Sequence, residues 1–321
     1  ALQSKQLSPV DAVEAALGLS LAPGTTRGLR PMLLSTSAVL SIHRPLALHA
    51  CTHGVCGAIE QLYLRSRGFT RYAASGARRI AYWHRAARAP GARATVFVHG
   101  IGLGIAAPYL PFVHALQRAL AASRDVFLVE IRRCRMAPEW GDSVPSEEIV
   151  AASLARMLSA HGHADADWVA HSFGSFVVAW VVFYRRSIVN RLALVDPTCF
   201  LLSNPAMAHT VMYRARPALV DAMMLYLRTE PRIARTMRRH FCWIQNSIRA
   251  DELPPATLVI LAERDVFTPV ALVEAYLARY ARPGLEVECV PRAHHGVPLM
   301  TDARTQARVI AFCGGAARAA T

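Results

Sequence analysis

Short apolar runs recur along the chain, and each ends in a cluster of small or polar residues. TVFV (95–98) leads into HGIGLG (99–104), and WVA (168–170) leads into HSFG (171–174). RLALV (191–195) ends at Asp196-Pro197, and TLVILA (257–262) ends at ERDVFTP (263–269). Continuous apolar runs of this length suit strands buried on both faces. Further strands are expected at 125–131 and 285–290, with helices at 109–121, 147–161, 175–184 and 270–280 between them. Strands alternating with helices predict an α/β chain whose mostly parallel sheet is covered on both faces. Ahead of this unit, FTRY (69–72) and RIAYW (79–83), around Gly76, predict an opening hairpin. Pro90 and Gly91 mark a turn after it.

Two stretches depart from the alternation. From 198 to 248 the chain is rich in methionine, aromatics and arginine and lacks strand signals, which predicts an inserted helical cap. At the other end, residues 8–17 read as a short capped helix. Residues 29–48 are fairly apolar, but Arg30, Pro31, His43, Arg44 and Pro45 interrupt them. A membrane-spanning helix needs about 18 or more uninterrupted apolar residues, so this segment is expected to pack on the core or lie in a membrane interface. No cleavable signal peptide is evident, and the initial alanine suggests a fragment or a processed form. The organisation expected is a helical extension (1–66), a core in two parts (67–197 and 251–321) and the cap between them (198–250).

With 321 residues and 53% hydrophobic content, the chain can bury a large core and is not a disordered one. Its formal net charge is +14, and every basic residue except Lys5 is arginine. The arginines are scattered, as a bias in amino-acid usage would leave them, and no nucleic-acid-binding signature accompanies them. An anionic membrane surface is the partner that such a charge would favour. Seven cysteines, several inside apolar runs, do not form an even disulfide framework. They suggest an intracellular, reducing compartment; a place at the periphery of an organelle membrane is a separate expectation. His49, Cys51, His53 and Cys56 match no familiar zinc spacing, and neither metal nor cofactor is called for.

The candidate chemistry sits where the apolar runs end. Ser172 lies between a strand and a helix, with Ala170 and Gly174 two residues to either side, which is the layout of a nucleophile elbow. The usual pattern has glycine where this chain has Ala170. A serine nucleophile also needs a base, a carboxylate to orient that base, and donors for the developing oxyanion. On a parallel sheet these collect at the carboxyl ends of strands. Asp265 follows the next-to-last strand and His294-His295-Gly296 the last one, giving the chain order Ser, Asp, His. The glycines of loop 99–104 would let backbone N–H groups approach a substrate oxygen.

These stretches carry a resemblance. VFVHGIGLG (96–104), VAHSFGS (169–175), LALVDPTCFLL (192–202), LVILAERDVFTP (258–269) and VPRAHHGVPL (290–299) resemble the lipase and esterase-like branch of the α/β-hydrolase fold superfamily. The resemblance runs from about residue 69 to the end of the chain. DPTCFLL, the helical insert and FCWIQNSIRADELP (241–254) are also similar to a group of eukaryotic α/β-hydrolases that often carry a membrane-associated N-terminal extension. It implies a mostly parallel α/β-hydrolase sheet with an inserted helical cap. Ser172 would be the nucleophile, His295 the base and Asp265 the orienting acid. Phe173 N–H, with Ile101 or Gly102 N–H, would form the oxyanion hole.

Two alternatives stay open at this level: His294 in place of His295, and Asp196, which ends the preceding strand, in place of Asp265. His171 is expected to pack beneath the site, and His99 to hydrogen-bond within its loop. Phe200, Leu201, Leu202, Met207, Met212, Met223, Met224, Leu225, Phe241 and Trp243 could line an acyl pocket or form the cap's own core. The activity expected is that of a serine hydrolase cleaving a lipid or other apolar acyl ester through an acyl-enzyme. The rival expectation is a non-catalytic scaffold or binding subunit on the same fold.

Overall fold

The computed structural model describes residues 38–73, 80–105, 108–131, 145–204 and 219–315, with isolated positions among the first 28. The chain divides into two compact units, Ala1–Leu34 and Ser35–Thr321. Of the helix expected at 8–17 only Glu14, which is helical, lies within the described residues.

The second unit is built on one eight-stranded sheet. Its strands are β1 (Thr70–Ala73), β2 (Ile80–Arg85), β3 (Arg93–Val98), β4 (Arg124–Ile131), β5 (Ala166–His171), β6 (Val189–Val195), β7 (Ala256–Ala262) and β8 (Leu285–Val290), in the order β1-β2-β4-β3-β5-β6-β7-β8. The pairs β1–β2 and β2–β4 are antiparallel, and the other five are parallel. The opening hairpin pairs Thr70 with His84; its expected turn around Gly76 lies outside the described residues.

Side chains that alternate along a strand face opposite sides of a sheet, and both faces here are covered. Val96, Trp168 and Ala170 pack with α3 (Glu147–Ala160) and α4 (Gly174–Arg185) in one cluster. Phe97, Leu128 and Val169 pack with α1 (Cys56–Ser66), α2 (Leu110–Leu120) and α8 (Ala303–Gly314) in the other. Between β6 and β7, α5 (Leu219–Arg228) and α6 (Pro231–Arg239) are helical as the cap reading expects. The remaining long helix is α7 (Val270–Ala278). Helix ends follow ordinary capping rules: the Ser146 side chain accepts from Ile149 N–H at the head of α3, and Glu230 from Ile233 N–H at the head of α6.

The apolar pattern did not single out α1 or α8. Among the described residues, no helix is long and apolar enough to cross a membrane, and no group of three or more His, Cys, Asp or Glu side chains is arranged to hold a metal ion. Cys51, Cys56, Cys199, Cys242, Cys289 and Cys313 are free thiols.

At the sheet end opposite the carboxyl ends of the parallel strands, three imidazoles gather around Asp125. His84 Nε2 and His163 Nε2 each lie 3.0 Å from Asp125 Oδ2, and the His84 and His161 rings are 4.0 Å apart. Burial holds His84 and His161 below the usual histidine range, against the pull of Asp125. The unfolded chain therefore takes up more protons than the folded one as pH falls below about 6.5, and stability falls with it. Thermal melting between about pH 7.5 and 5.5 is expected to show a falling Tm, with a shallower slope in a His84→Gln, His161→Gln double variant. An identical slope in the double variant would contradict this account.

Candidate active site

The parallel strands aim their carboxyl ends at one edge of the sheet, and the sequence-predicted residues occupy the loops there. Ser172 follows β5 directly, with a left-handed backbone at φ 51°. A non-glycine residue pays about 1–2 kcal/mol for that conformation, so its surroundings must impose it. Ser172 N–H donates to Val195 O at 3.1 Å. Its carbonyl accepts from Ser175 N–H at 2.9 Å, Ser175 Oγ at 2.6 Å and Thr198 Oγ1 at 3.2 Å.

Two glycines set how closely the loops approach. A Cβ at Gly174 would stand 2.4 Å from Val98 O, so only glycine lets α4 start against the end of β3. A Cβ at Gly100 would stand 2.8 Å from Tyr109 Oη and 3.1 Å from Ser172 Cβ, which brings loop 99–104 against the serine. Ala170, where the usual pattern has glycine, is fully buried inside β5.

His295 joins the other two candidates. Its Nε2 lies 2.8 Å from Ser172 Oγ and its Nδ1 2.7 Å from Asp265 Oδ2. Asp265 Oδ1 accepts from Phe267 N–H at 2.7 Å and Thr268 N–H at 3.2 Å, which fixes the carboxylate toward the imidazole. The neighbouring His294 is exposed. Asp196 is buried but does not bond His295; its Oδ2 accepts from Gly296 N–H at 2.7 Å.

His171 lies beneath the site, fully buried. Its Nδ1 is 2.7 Å from Tyr109 Oη, which in turn accepts from Gly100 N–H at 2.9 Å. His99 bonds within its own loop to Gly100 O and accepts from Ile131 N–H.

The electrostatics separate the two histidines. Burial works against a charge on His295, yet the hydrogen bond to Asp265 and the charges of Asp265 and Asp196 outweigh it and raise its pKa. Burial lowers the pKa of His171, and Asp196 only partly offsets this. Burial would also raise Asp265, but the bond and charge of His295 and two backbone donors bring its carboxyl below the usual range.

The oxyanion candidates lie beside the serine. Phe173 follows it at the head of α4, where helix N–H groups carry partial positive charge. Ile101 and Gly102 follow Gly100, and Gly102 has φ 133°, a conformation that favours glycine. Leu227 and Ile233, from α5 and α6, pack with Ile101, Leu103 and Met237 to wall this loop. Phe173, Phe176 and Phe241 stack edge-on in a row, each pair of ring centres 5.2 Å apart.

The start of the unit fastens that wall. Ile42 N–H donates to Thr229 O, and the Arg44 guanidinium bonds Tyr226 O and Thr229 Oγ1. Other residues of the expected acyl pocket lie elsewhere. Phe200 is buried in the main core, with Leu201 and Leu202 packed against it, while Leu225 and Trp243 are exposed. Met207 and Met212, and the side chains of Met223 and Met224, fall outside the described residues.

The sequence reading missed Tyr109, Ser175 and Thr198. None carries a reactive group that would mark it, although Thr198 belongs to the quoted DPTCFLL run.

A family model described as "alpha/beta hydrolase fold" matches residues 95–241. No curated protein is similar enough in sequence to match the chain. Among solved structures, carboxylesterase CesB from Bacillus subtilis is similar at TM-score 0.55 and 14% identity, covering 82% of this chain and 98% of that one. The 2-hydroxy-6-oxo-6-phenylhexa-2,4-dienoate hydrolase of a Rhodococcus strain is similar at TM-score 0.53 and 16% identity, over 76% and 97% of the two chains. A bacterial membrane phospholipase A is similar at TM-score 0.53 and 15% identity, over 85% and 94%. With its sheet order, the family model over residues 95–241 and these similar structures, the chain has the α/β-hydrolase fold.

Proposed function

We propose that the protein is a serine hydrolase that cleaves a carboxylic ester of an apolar acyl group through an acyl-enzyme. The observation that carries this reading is the unbroken hydrogen-bonded line from Ser172 Oγ through His295 to Asp265. In this reading His295 takes the Ser172 proton as the oxygen attacks the ester carbonyl. Phe173 N–H, with Ile101 or Gly102 N–H, holds the oxyanion of the tetrahedral intermediate. His295 then hands its proton to the departing alcohol, and water releases the acid by the same steps. Asp265 orients the imidazole and stabilises its charged form.

The apolar acyl preference is supported by the aromatic row Phe173, Phe176 and Phe241, which starts at the residue after the serine, with Leu227 against Gly102 of loop 99–104. A carboxylesterase and a phospholipase among structures of the same fold are consistent with it. An anionic membrane is the surface proposed as partner. The net charge of +14 favours it, and so do Leu46 (87% exposed), Ile59 and Leu62 (71% exposed) in the segment that precedes β1.

A fluorophosphonate probe is expected to label Ser172, with no label on Ser172→Ala. Well-folded protein that resists the probe would favour the scaffold reading instead. For ester hydrolysis, kcat/KM should fall with acid through a midpoint above about 6.5, because His295 must be neutral to accept a proton and its pKa is raised. Asp265→Asn should cost about 10⁴-fold in kcat, and a loss under tenfold would argue against its role. Co-sedimentation at low salt should occur with vesicles containing phosphatidylserine and weaken with phosphatidylcholine alone. Absence of binding to either would sink the membrane partner.

A further inference from the structure

We infer that Asp196, Pro197 and Thr198, the three residues that follow β6, form a clamp that holds the nucleophile, acid and base loops in register. Asp196 and Thr198 are then positioning residues for hydrolysis. The inference rests on the serine-hydrolase reading and extends it to groups that touch neither substrate nor the transferred proton.

Each member of the tripeptide grips a different loop. Asp196 Oδ2 accepts from Gly296 N–H at 2.7 Å, the amide next to His295. Pro197 O accepts from Thr268 Oγ1 at 3.1 Å, three residues beyond Asp265 in the loop whose N–H groups hold that carboxylate. Thr198 Oγ1 donates to Ser172 O at 3.2 Å, and Thr198 N–H donates to Ser175 Oγ at 3.1 Å. The Ser175 hydroxyl in turn donates to Ser172 O at 2.6 Å. Asp196, Thr198, Thr268 and Ser175 are all buried, so water does not compete for these bonds.

The clamp is itself anchored on both sides. Asp196 N–H donates to Ile260 O in β7, and Cys199 O accepts from Ile248 N–H. A change at this tripeptide reaches all three loops, whereas a change in one loop reaches only its own.

Two features of Asp196 run against plain stability. Its backbone is left-handed, with φ 45°. Its second oxygen, Oδ1, is buried without a hydrogen-bond donor among the described residues. Strain and an unsatisfied carboxylate oxygen at one residue are costs that functional sites tolerate and ordinary loops avoid. The charge also has work to do. His171 Nε2 on β5 lies 3.6 Å from Asp196 Oδ2, and Asp196 acts with Asp265 to favour the charged form of His295. Cys289 on β8 also feels its charge.

The test uses isosteric deletions in the full chain: Thr198→Val, Thr268→Val and Asp196→Asn, with Thr198→Ser as the conservative variant. The readouts are the rate of labelling of Ser172 by a fluorophosphonate probe and, with a p-nitrophenyl ester, kcat, KM and the pH profile. The threonine variants are expected to lower kcat about ten- to a hundredfold, with KM within about twofold, while Thr198→Ser restores the rate. Asp196→Asn is expected to move the acid limb of kcat/KM to lower pH, because the removed charge supports protonated His295. Should Asp196→Asn not fold, the threonine variants carry the test alone. Labelling and kcat at the wild-type level in folded Thr198→Val and Thr268→Val, or a lower Tm with no change in rate per folded molecule, would overturn the clamp and leave the hydrolase reading standing. Wild-type protein that the probe does not label would remove both.

Discussion

The junction of β5 with α4 is the constraint on which the site depends. For Ser172 to stand at the sheet edge, the chain must reverse within three residues, and α4 must start pressed against the end of β3. Two conditions make this reversal hold. Gly174 has no side chain to collide with Val98 O, and four hydrogen bonds fix the left-handed Ser172, two from Ser175 within the turn and two, with Val195 and Thr198, from outside it. The turn does not favour this geometry by itself; the neighbouring strands and β6 impose it. A strained residue held this way resists relaxation, and that is what keeps a nucleophile oriented.

Around the junction the polar groups form two layers. The upper one, Ser172, His295 and Asp265, borders the region where substrate would lie. The lower one, Tyr109, His171 and Asp196, is buried and joins loop 99–104 to the loop after β8 through Gly100 and Gly296. The two imidazoles are shifted in opposite directions because their partners differ. His295 faces two carboxylates and has a hydrogen bond to one of them, whereas His171 has a tyrosine hydroxyl and a carboxylate just beyond bonding distance. The same side-chain type is therefore pushed toward its charged form in one layer and away from it in the other.

The central strands β3, β5, β6 and β7 were legible because burial on both faces demands apolar runs, whereas β8, LEVECV at the sheet edge, carries two glutamates and is only partly buried. β6 begins two residues before the expected run, with Val189 paired to Ala166 and a register irregularity before Arg191. α8 was hidden by the alanines, arginines and polar residues of 303–308 ahead of Val309, Ile310 and Phe312; its signals were the Asp302 N-cap and Gly315 at the C-terminus. α1 was hidden because its apolar pattern is inverted, with Ile59 and Leu62 outward and Glu60 inward. Ser172, Asp265 and His295 could be proposed because each follows a recognisable strand. The choice between His294 and His295 could not be read, because adjacent side chains diverge according to a backbone turn, here the left-handed Gly296, that composition does not reveal. Tyr109 and Thr198 act only through position, and position exists only once the chain has folded.

The attachment of Arg44 to α5 bears on how the site is covered. The guanidinium stacks on Tyr226, bonds the Tyr226 and Thr229 groups some 182 to 185 residues away, and secures the helix end that carries Leu227 over Gly102. The floor of the site is built from strands packed deep in the sheet, but its roof hangs from a segment that comes before the sheet begins. Floor and roof are thus separable parts of the architecture. Exchange of the early segment between related chains would re-cut the shape of the entrance while leaving the reactive line beneath it untouched.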